Sequence, residues 1–374
     1  MHTDLTTQRA LMILNGLPHI GPIALRELQR HFKGDVQAVL SASRSELLKV
    51  KGIGNKAADS IERWQEYFNL NKEEMNLRAK GAAFISQQEA DYPALLREIY
   101  DPPLGLYWLG DYRIDRPCIA IIGSRRSTLY GQKTARYLAR DLARRGFCVV
   151  SGLARGIDTA AHEGALEADG KTLAIMGCGL DIIYPPENLD LFRRIGKMGA
   201  VVSEFPFGRR PDRQTFPMRN RLISGMCVAL IVVETDTNGG SMITAHFAGE
   251  QGRPLFVVPG RIDQNSSRGC HQLIRDGATL LTCVDDILED LNYLKLQQLN
   301  IDSDPIPTQS NIPNGLKDLE KRVLECFGNG EIVTPDTVVE RTQLSVQVVA
   351  STLVLLELKK LIVKRTDGKF ESRS

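Results

Sequence analysis

The 374-residue sequence has no Cys-x-x-C pair, no apolar run long enough to cross a bilayer and no marked surplus of either charge. The seven cysteines, at 118, 148, 178, 227, 270, 283 and 326, are scattered, several of them inside apolar runs such as "CIAIIG" and "FCVVSG". That argues against a disulfide framework and favours reduced, packed thiols in a cytoplasm. The N-terminal "MHTDLTTQRALMILNG" lacks a basic lead and carries only a short apolar stretch, so neither a signal peptide nor a membrane span is expected. With 47 basic against 45 acidic residues, general adhesion to polyanions is excluded, and any anionic partner must be read from local clusters. A Walker A lysine loop, G-x-S-x-G and H-E-x-x-H are all missing, so no catalytic residue, metal or cofactor is assigned.

What the chain does contain changes character along its length. Residues 1–72 show helical periodicity with turns at "HIGP" and "KGIGN". In the second turn Gly52 and Gly54 permit a tight hairpin, and the amides opening the next helix, with Lys51, Asn55 and Lys56, form an anion nest. Two readings stay open for it: a DNA contact, or a helix bundle whose glycines only make the turn. Residues 73–115 mix short apolar strands with Pro and Gly turns and read as an extension docked on the next domain. From 116 to 295, six apolar runs ("CIAIIG", "FCVVSG", "TLAIMG", "AVVSE", "CVALIVVE", "PLFVVPG") alternate with helix-like segments. This is the pattern of an α/β, Rossmann-like doubly wound parallel sheet. Residues 296–315 read as a linker, and 316–374 as three helices followed by a hairpin turning at Asp367-Gly368, the order of a winged helix. Its expected third helix, "SVQVVASTL", has no Lys or Arg, which favours protein contact or autoregulation over groove reading.

Ligands of an open parallel sheet bind beyond the carboxyl ends of its strands. There, "GSRRSTLYG" presents Gly123, Ser124, Arg125 and Arg126 at a helix start. It is not G-x-G-x-x-G, and no acidic ribose partner follows, so a dinucleotide site gains little support. "SGLARGIDTAAHEGAL" supplies Arg155, with Asp158 and His162 read as an ordinary surface or orienting pair rather than acid and base. In "GCGLDIIYPPEN", Asp181 is expected to hold a turn. "RRPDRQTFPMRNR" gathers Arg209, Arg210, Arg213, Arg219 and Arg221 around Asn220, against the single acid Asp212, a cluster suited to phosphate contacts. Arg219 and Arg221 are expected to stand together at the mouth of the sheet near Arg125. Finally, "ETDTNGGSMITAHFAGEQGRP" brings Gly239, Gly240 and Ser241 to a helix start, while His246 and Glu250 read as a surface pair. Phe205, Phe207 and Phe216 are assigned to packing ahead of base stacking.

These segments, with "SEFPFG" and "GRPLFVVPG", resemble the signature set of the DNA-processing protein A (DprA/Smf) family over about residues 80–285, and "DYPALLREIYDPPLGLYWLG" resembles its lead-in. "LLKVKGIGNKAADSIERW" similarly resembles helix-hairpin-helix (SAM-like) DNA binders, with a weaker first copy in "LNGLPHIGPIALRELQRHF". The DprA resemblance implies a cytoplasmic, homodimeric, non-enzymatic protein that binds single-stranded DNA, protects incoming DNA and helps load the RecA recombinase in natural transformation. It implies that Arg125, Arg219 and Arg221 line the DNA pocket. Relatives often place a basic residue after the Tyr-Pro of the third loop, where this chain has Pro186-Glu187. Two other functions on the same fold are carried. One is a nucleotide-processing enzyme resembling phosphoribohydrolases, whose P-G-G-x-G-T run is incomplete in Asn238-Gly239-Gly240-Ser241-Met242-Ile243-Thr244; the other is a sensor of a nucleotide-like ligand.

Overall fold

A computed structural model describes residues 5–293, 318–330, 333–359, 361–364 and 369–372. The expected linker 296–315 and the Asp367-Gly368 turn lie outside the described residues. The chain divides into two compact units, residues 1–301 and 302–374.

The first unit is built on one sheet, nine-stranded among the described residues. Its strands are β1 (Ala82–Ser86), β2 (Gly105–Leu109), β3 (Cys118–Ile122), β4 (Cys148–Ser151), β5 (Thr172–Met176), β6 (Ala200–Ser203), β7 (Ala229–Val232), β8 (Leu255–Val257) and β9 (Thr279–Leu280). All six apolar runs of the central segment became strands, and β3 to β7 are buried at every residue. A strand covered by helices on both faces has no solvent side, which is why its sequence is a near-continuous apolar run rather than an alternating one. The order β1-β2-β6-β5-β4-β3-β7-β8-β9 is parallel from β6 through β9. It reverses direction of growth between β3 and β7, leaving a crevice at their carboxyl ends.

The segment after residue 72 does more than dock. Its β1 and β2 pair antiparallel, and β2 continues the sheet antiparallel to β6, with Trp108 opposite Val202. The expected boundary at 72 falls inside a helix, Leu70–Lys80, which Asn69 caps at its start and Gly81 ends at φ 63°. Before it come helices 7–16, 22–31, 36–41, 44–47, 55–62 and 64–67, with the Gly52-Gly54 turn joining 44–47 to 55–62. Leu11, Ile13, Leu14, Leu47 and Ile61 of these helices join a core shared with Tyr107, Met176 and Val201 of the sheet. Polar ties reinforce that join: Asn15 Nδ2 donates to the Glu204 carbonyl at 2.7 Å, and the Phe207 amide donates to the Glu73 carboxylate at 2.9 Å.

The second unit has helices 318–324, 335–342 and 346–358, followed by antiparallel strands β10 (Ile362–Lys364) and β11 (Phe370–Ser372). Val323, Val338, Val349, Leu353 and Ile362 form its own small core. The three-helix, two-strand order expected of a winged helix is present.

Candidate nucleic-acid interface

The crevice between β3 and β7 opens into a cleft of about 460 Å³, lined by the loops after β3, β4 and β7 and by the Thr215–Gly225 helix. Four features of the sequence hold it open.

The first is the loop after β3. The Ser124 amide donates to the Glu234 carbonyl at 2.6 Å, and the Thr128 amide to the Glu234 carboxylate at 2.8 Å, with the Thr128 hydroxyl on the same carboxylate. Thr128 in turn caps the Leu129–Arg144 helix by accepting from the Gly131 amide at 3.1 Å. A Cβ at Gly131 would run into the Glu234 carboxylate, so any larger residue there displaces the group that holds the loop. Glu234, buried at the end of β7, therefore anchors the loop carrying Arg125 and Arg126. Both arginines are exposed and neither pairs with a carboxylate among the described residues. The Arg125 guanidinium lies 4.7 Å from the Phe216 ring centre, which aims it across the cleft.

The second is the loop after β4, shaped by Asp158. Its carboxylate accepts from the amides of Gly152 (3.1 Å) and Ala154 (3.3 Å). Burial raises its pKa, and the opposing charge of Arg219 holds part of that rise back. His162 is fully buried with Nδ1 on the Thr172 hydroxyl at 2.7 Å, and burial pushes its pKa down to about 3. Because Thr172 spends its own proton on the Val149 carbonyl, His162 Nδ1 is the donor and Nε2 is left bare. Asp158 and His162 do not form the expected surface or orienting pair: both are buried, Asp158 supporting the loop and His162 the core through separate partners.

The third is the Thr215–Gly225 helix, where the expectation divides. Arg219 lines the cleft, yet it is only 4% exposed, and its Nη1 donates to the carbonyls of Gly152 (2.5 Å) and Ile175 (2.6 Å) while Nε donates to Asn220 Oδ1 (3.1 Å). It clamps the ends of β4 and β5. Arg221 does not reach the cleft. Two residues along a helix is about 200° of rotation, so Arg221 points away from Arg219. It is 3% exposed, paired with both Glu204 oxygens at 2.5 and 2.6 Å and with Asp101 at 3.3 Å. The expectation that both arginines face one ligand fails on helix geometry, and for Arg221 the acidic partners account for the charge.

The fourth is the start of the Gly240–Glu250 helix. Gly239, Gly240, Ser241 and Thr244 line the cleft, so the helix's unpaired amides and positive dipole end face it. Ser241 Oγ donates inward to Thr235 Oγ1 at 2.6 Å, which commits that hydroxyl to the loop rather than to a ligand. Asn220 Nδ2 reaches the Gly240 carbonyl at 3.4 Å.

Gly123, Ser124, Arg125, Arg126, Arg219, Asn220, Gly239, Gly240 and Ser241 thus converge on one cleft. Arg155, Arg209, Arg210 and Arg221 are not in its lining. Arg155 is engaged by Glu187 of the third loop, and Arg209 by Asp212 at 2.7 Å. Asp181 holds a turn by accepting from the Gly208 amide at 2.9 Å. Arg213 and Phe216 belong to the lining although neither was a first choice for ligand contact. Phe216 is half-buried, whereas Phe205 is buried in the core and Phe207 packs edge-on against Tyr107. Glu234 was missed altogether. At the hairpin, Gly52 adopts φ 83°, Gly54 caps the 55–62 helix, Lys51 and Lys56 are exposed, and Asn55 accepts from Arg44 at 2.9 Å. His246 and Glu250 form an exposed pair at 3.2 Å. Among the described residues no helix is long and apolar enough to cross a membrane.

Comparison with known proteins gives the same picture. Residues 83–292 match the DNA recombination-mediator protein A family, 307–368 the DprA winged helix domain and 11–73 the helix-hairpin-helix motif. Protein Smf of Synechocystis is 32% identical over 95% of this chain and 96% of its own length. The Streptococcus pneumoniae DNA processing protein DprA is 39% identical over 61% of this chain and 81% of its own. Its X-ray structure superposes with a TM-score of 0.65 at 34% identity, covering 76% of this chain and 98% of that one. A Helicobacter pylori DNA processing protein A, described for its single-stranded DNA binding mode, superposes with a TM-score of 0.52 at 32% identity over 57% of this chain and 96% of that one.

Proposed function

This chain belongs to the DNA recombination-mediator protein A family, and we propose that it binds single-stranded DNA in the β3/β7 cleft and delivers the strand to a RecA-type recombinase. The observation that carries the reading is the unpaired, exposed Arg125 and Arg126 facing a helix start across the cleft. Amides and guanidinium groups of that kind hold phosphates without reading base edges, which yields affinity with weak sequence preference. Arg213 adds a third exposed cation, and Phe216 an aromatic surface for an unpaired base. The reading is of a cytoplasmic, homodimeric binding protein rather than an enzyme, with no resident cofactor. Arg155, Arg209 and Arg210 serve as outer contacts, and the Lys51–Lys56 hairpin as a separate one. The 1–72, 73–115, 116–295, 296–315 and 316–374 segments act as its modules.

The test is titration of single-stranded and duplex oligonucleotides of equal length at two salt concentrations, with the wild-type chain and Arg125→Ala. Tighter binding of unrelated single strands than of duplex is expected, with the salt slope reduced by about 0.7 in the variant. Equal affinity for duplex, or binding indifferent to Arg125, overturns the assignment. Delivery is read separately, as faster recombinase filament growth on coated DNA when the protein is added.

A further inference from the structure

We propose that the exposed face of the Leu129–Arg144 helix is a second stretch of the single-strand path, a ladder of aromatic rings and cations on which bases leaving the cleft stack. This rests on the reading of the cleft as a DNA site and extends it to the nucleotides beyond.

Tyr130, Lys133, Tyr137, Arg140 and Arg144 recur at intervals of three and four residues, which places them on one side of the helix. The other side is packed through Gly131, Ala135, Leu138, Ala139 and Leu142, so the ladder is the outward face. Tyr130 is 58% and Tyr137 51% exposed, which leaves two large rings in water on the outward side of the helix, with Leu129 also exposed at its start. Lys133, Arg140 and Arg144 pair with no carboxylate among the described residues.

Four acids on the ladder's own helix and on two others are held by arginines outside it. On the adjacent Ile157–Glu167 helix, Glu163 and Glu167 are taken by Arg136. Asp141, the one acid in the ladder's own helix, is shared with Arg145, which also holds Asp285 of the Val284–Tyr293 helix. The face is therefore uncompensated in charge along its ridge and neutralised along its edges, which suits one narrow polyanion. Rings alternating with cations suit a strand with bare bases: a duplex hides its base faces, and an apolar protein surface leaves the cations unmatched. The position is continuous with the cleft, since the helix begins directly after the Arg125–Arg126 loop. From Tyr130 to Arg144 the ridge rises about 21 Å, the span of roughly six stacked nucleotides.

The experiment compares binding of oligothymidylates of about four and about twelve nucleotides, the shorter filling the cleft alone. It uses the full chain, Arg125→Ala, Tyr130→Ala/Tyr137→Ala, Tyr130→Phe/Tyr137→Phe and Lys133→Gln/Arg140→Gln. The double alanine variant is expected to bind the long strand at least roughly five-fold more weakly with the salt slope kept, and the short strand like wild type. The phenylalanine pair restores long-strand binding. The glutamine pair lowers the long-strand salt slope by about 0.7 per lost phosphate contact. Equal losses on both lengths, or none on the long one while Arg125→Ala weakens both, overturns the ladder and leaves the cleft reading intact. Failure of wild type to bind either strand removes the cleft reading itself. A double alanine variant that binds both strands normally but sediments differently without DNA would make the face a contact between copies, and the ladder falls. Unchanged melting temperatures establish that the surface substitutions leave the fold alone.

Discussion

Arg219 and Arg125 both line the cleft, but the structure assigns them opposite kinds of work, and their alanine variants should fail in opposite ways. Arg219→Ala strips the donor from the Gly152 and Ile175 carbonyls and the countercharge from buried Asp158. An unsatisfied buried acceptor costs about 1–3 kcal/mol, and two are left here beside a carboxylate that has lost a nearby opposing charge. The expected loss, on the order of 5 kcal/mol, approaches the whole stability of an ordinary domain. Arg125→Ala removes an exposed side chain that lies over the half-buried Phe216 ring and pairs with no carboxylate among the described residues, so its stability should stay within about 0.5 kcal/mol of wild type. Urea unfolding followed by circular dichroism measures the first quantity, and single-strand titration against salt the second. Arg219→Ala is expected to lower the urea midpoint sharply; Arg125→Ala is expected to keep the midpoint and lose affinity. An Arg219→Ala protein with the wild-type midpoint that merely binds DNA less well would refute the clamp and make Arg219 a ligand group.

The buried Arg221–Glu204 pair gives a related result: Glu204→Ala should cost about 3–5 kcal/mol, whereas Arg221→Met/Glu204→Met recovers most of it, and DNA affinity of the folded double variant is unchanged. His162 is neutral when folded, with its pKa at about 3 against about 6.5 when unfolded, so only the unfolded chain takes up this proton between those values. Its contribution therefore falls as pH drops from about 6.5 to about 3 and is flat outside that window; urea midpoints at pH 7 and 4.5 should differ less in His162→Leu than in wild type. Glu187→Gln releases Arg155 from an exposed pair, so single-strand affinity should rise and the salt slope steepen by up to about 0.7, with no change in melting temperature. Affinity equal to wild type would mean that Arg155 lies off the strand path.

The sheet was readable because burial on both faces leaves a local trace: every strand from β3 to β7 is buried throughout and apolar but for Ser151, Thr172 and Ser203 at strand ends. The pairing of β2 with β6 left none, since residues about a hundred positions apart meet through backbone groups that carry no sequence mark. The same distance hid Glu234. An acid at a strand end is unremarkable until the loop 106 residues earlier is seen to hang from its carboxylate. Arg219 and Arg221 show a different failure. Their closeness in sequence suggested one shared site, but the segment is helical, and positions two apart on a helix face different ways. The tyrosines and cations of the 129–144 helix had their spacing in plain view. What the spacing could not supply was which side packs and which of the flanking acids are already spoken for.

The two arginines set beside the core now have separate explanations, and neither is a phosphate contact in the simple sense. Arg221 ties the loop after β6 to Asp101 of the lead-in segment, so its charge is spent on joining chain segments. Arg219 sits at the floor of the cleft with its charge set against Asp158 and against carbonyl oxygens at the ends of two strands. A floor so compensated offers little net attraction to a polyanion, but it is stiff, because moving it would expose unpaired buried groups. Attraction then falls to the exposed cations at the rim, Arg125, Arg126 and Arg213, and direction to the helix start opposite them. Rim groups in high dielectric are screened by salt, whereas the floor is not. A cleft built this way should grip a strand strongly enough to hold it and release it with a modest change at the rim, while its shape persists through both states.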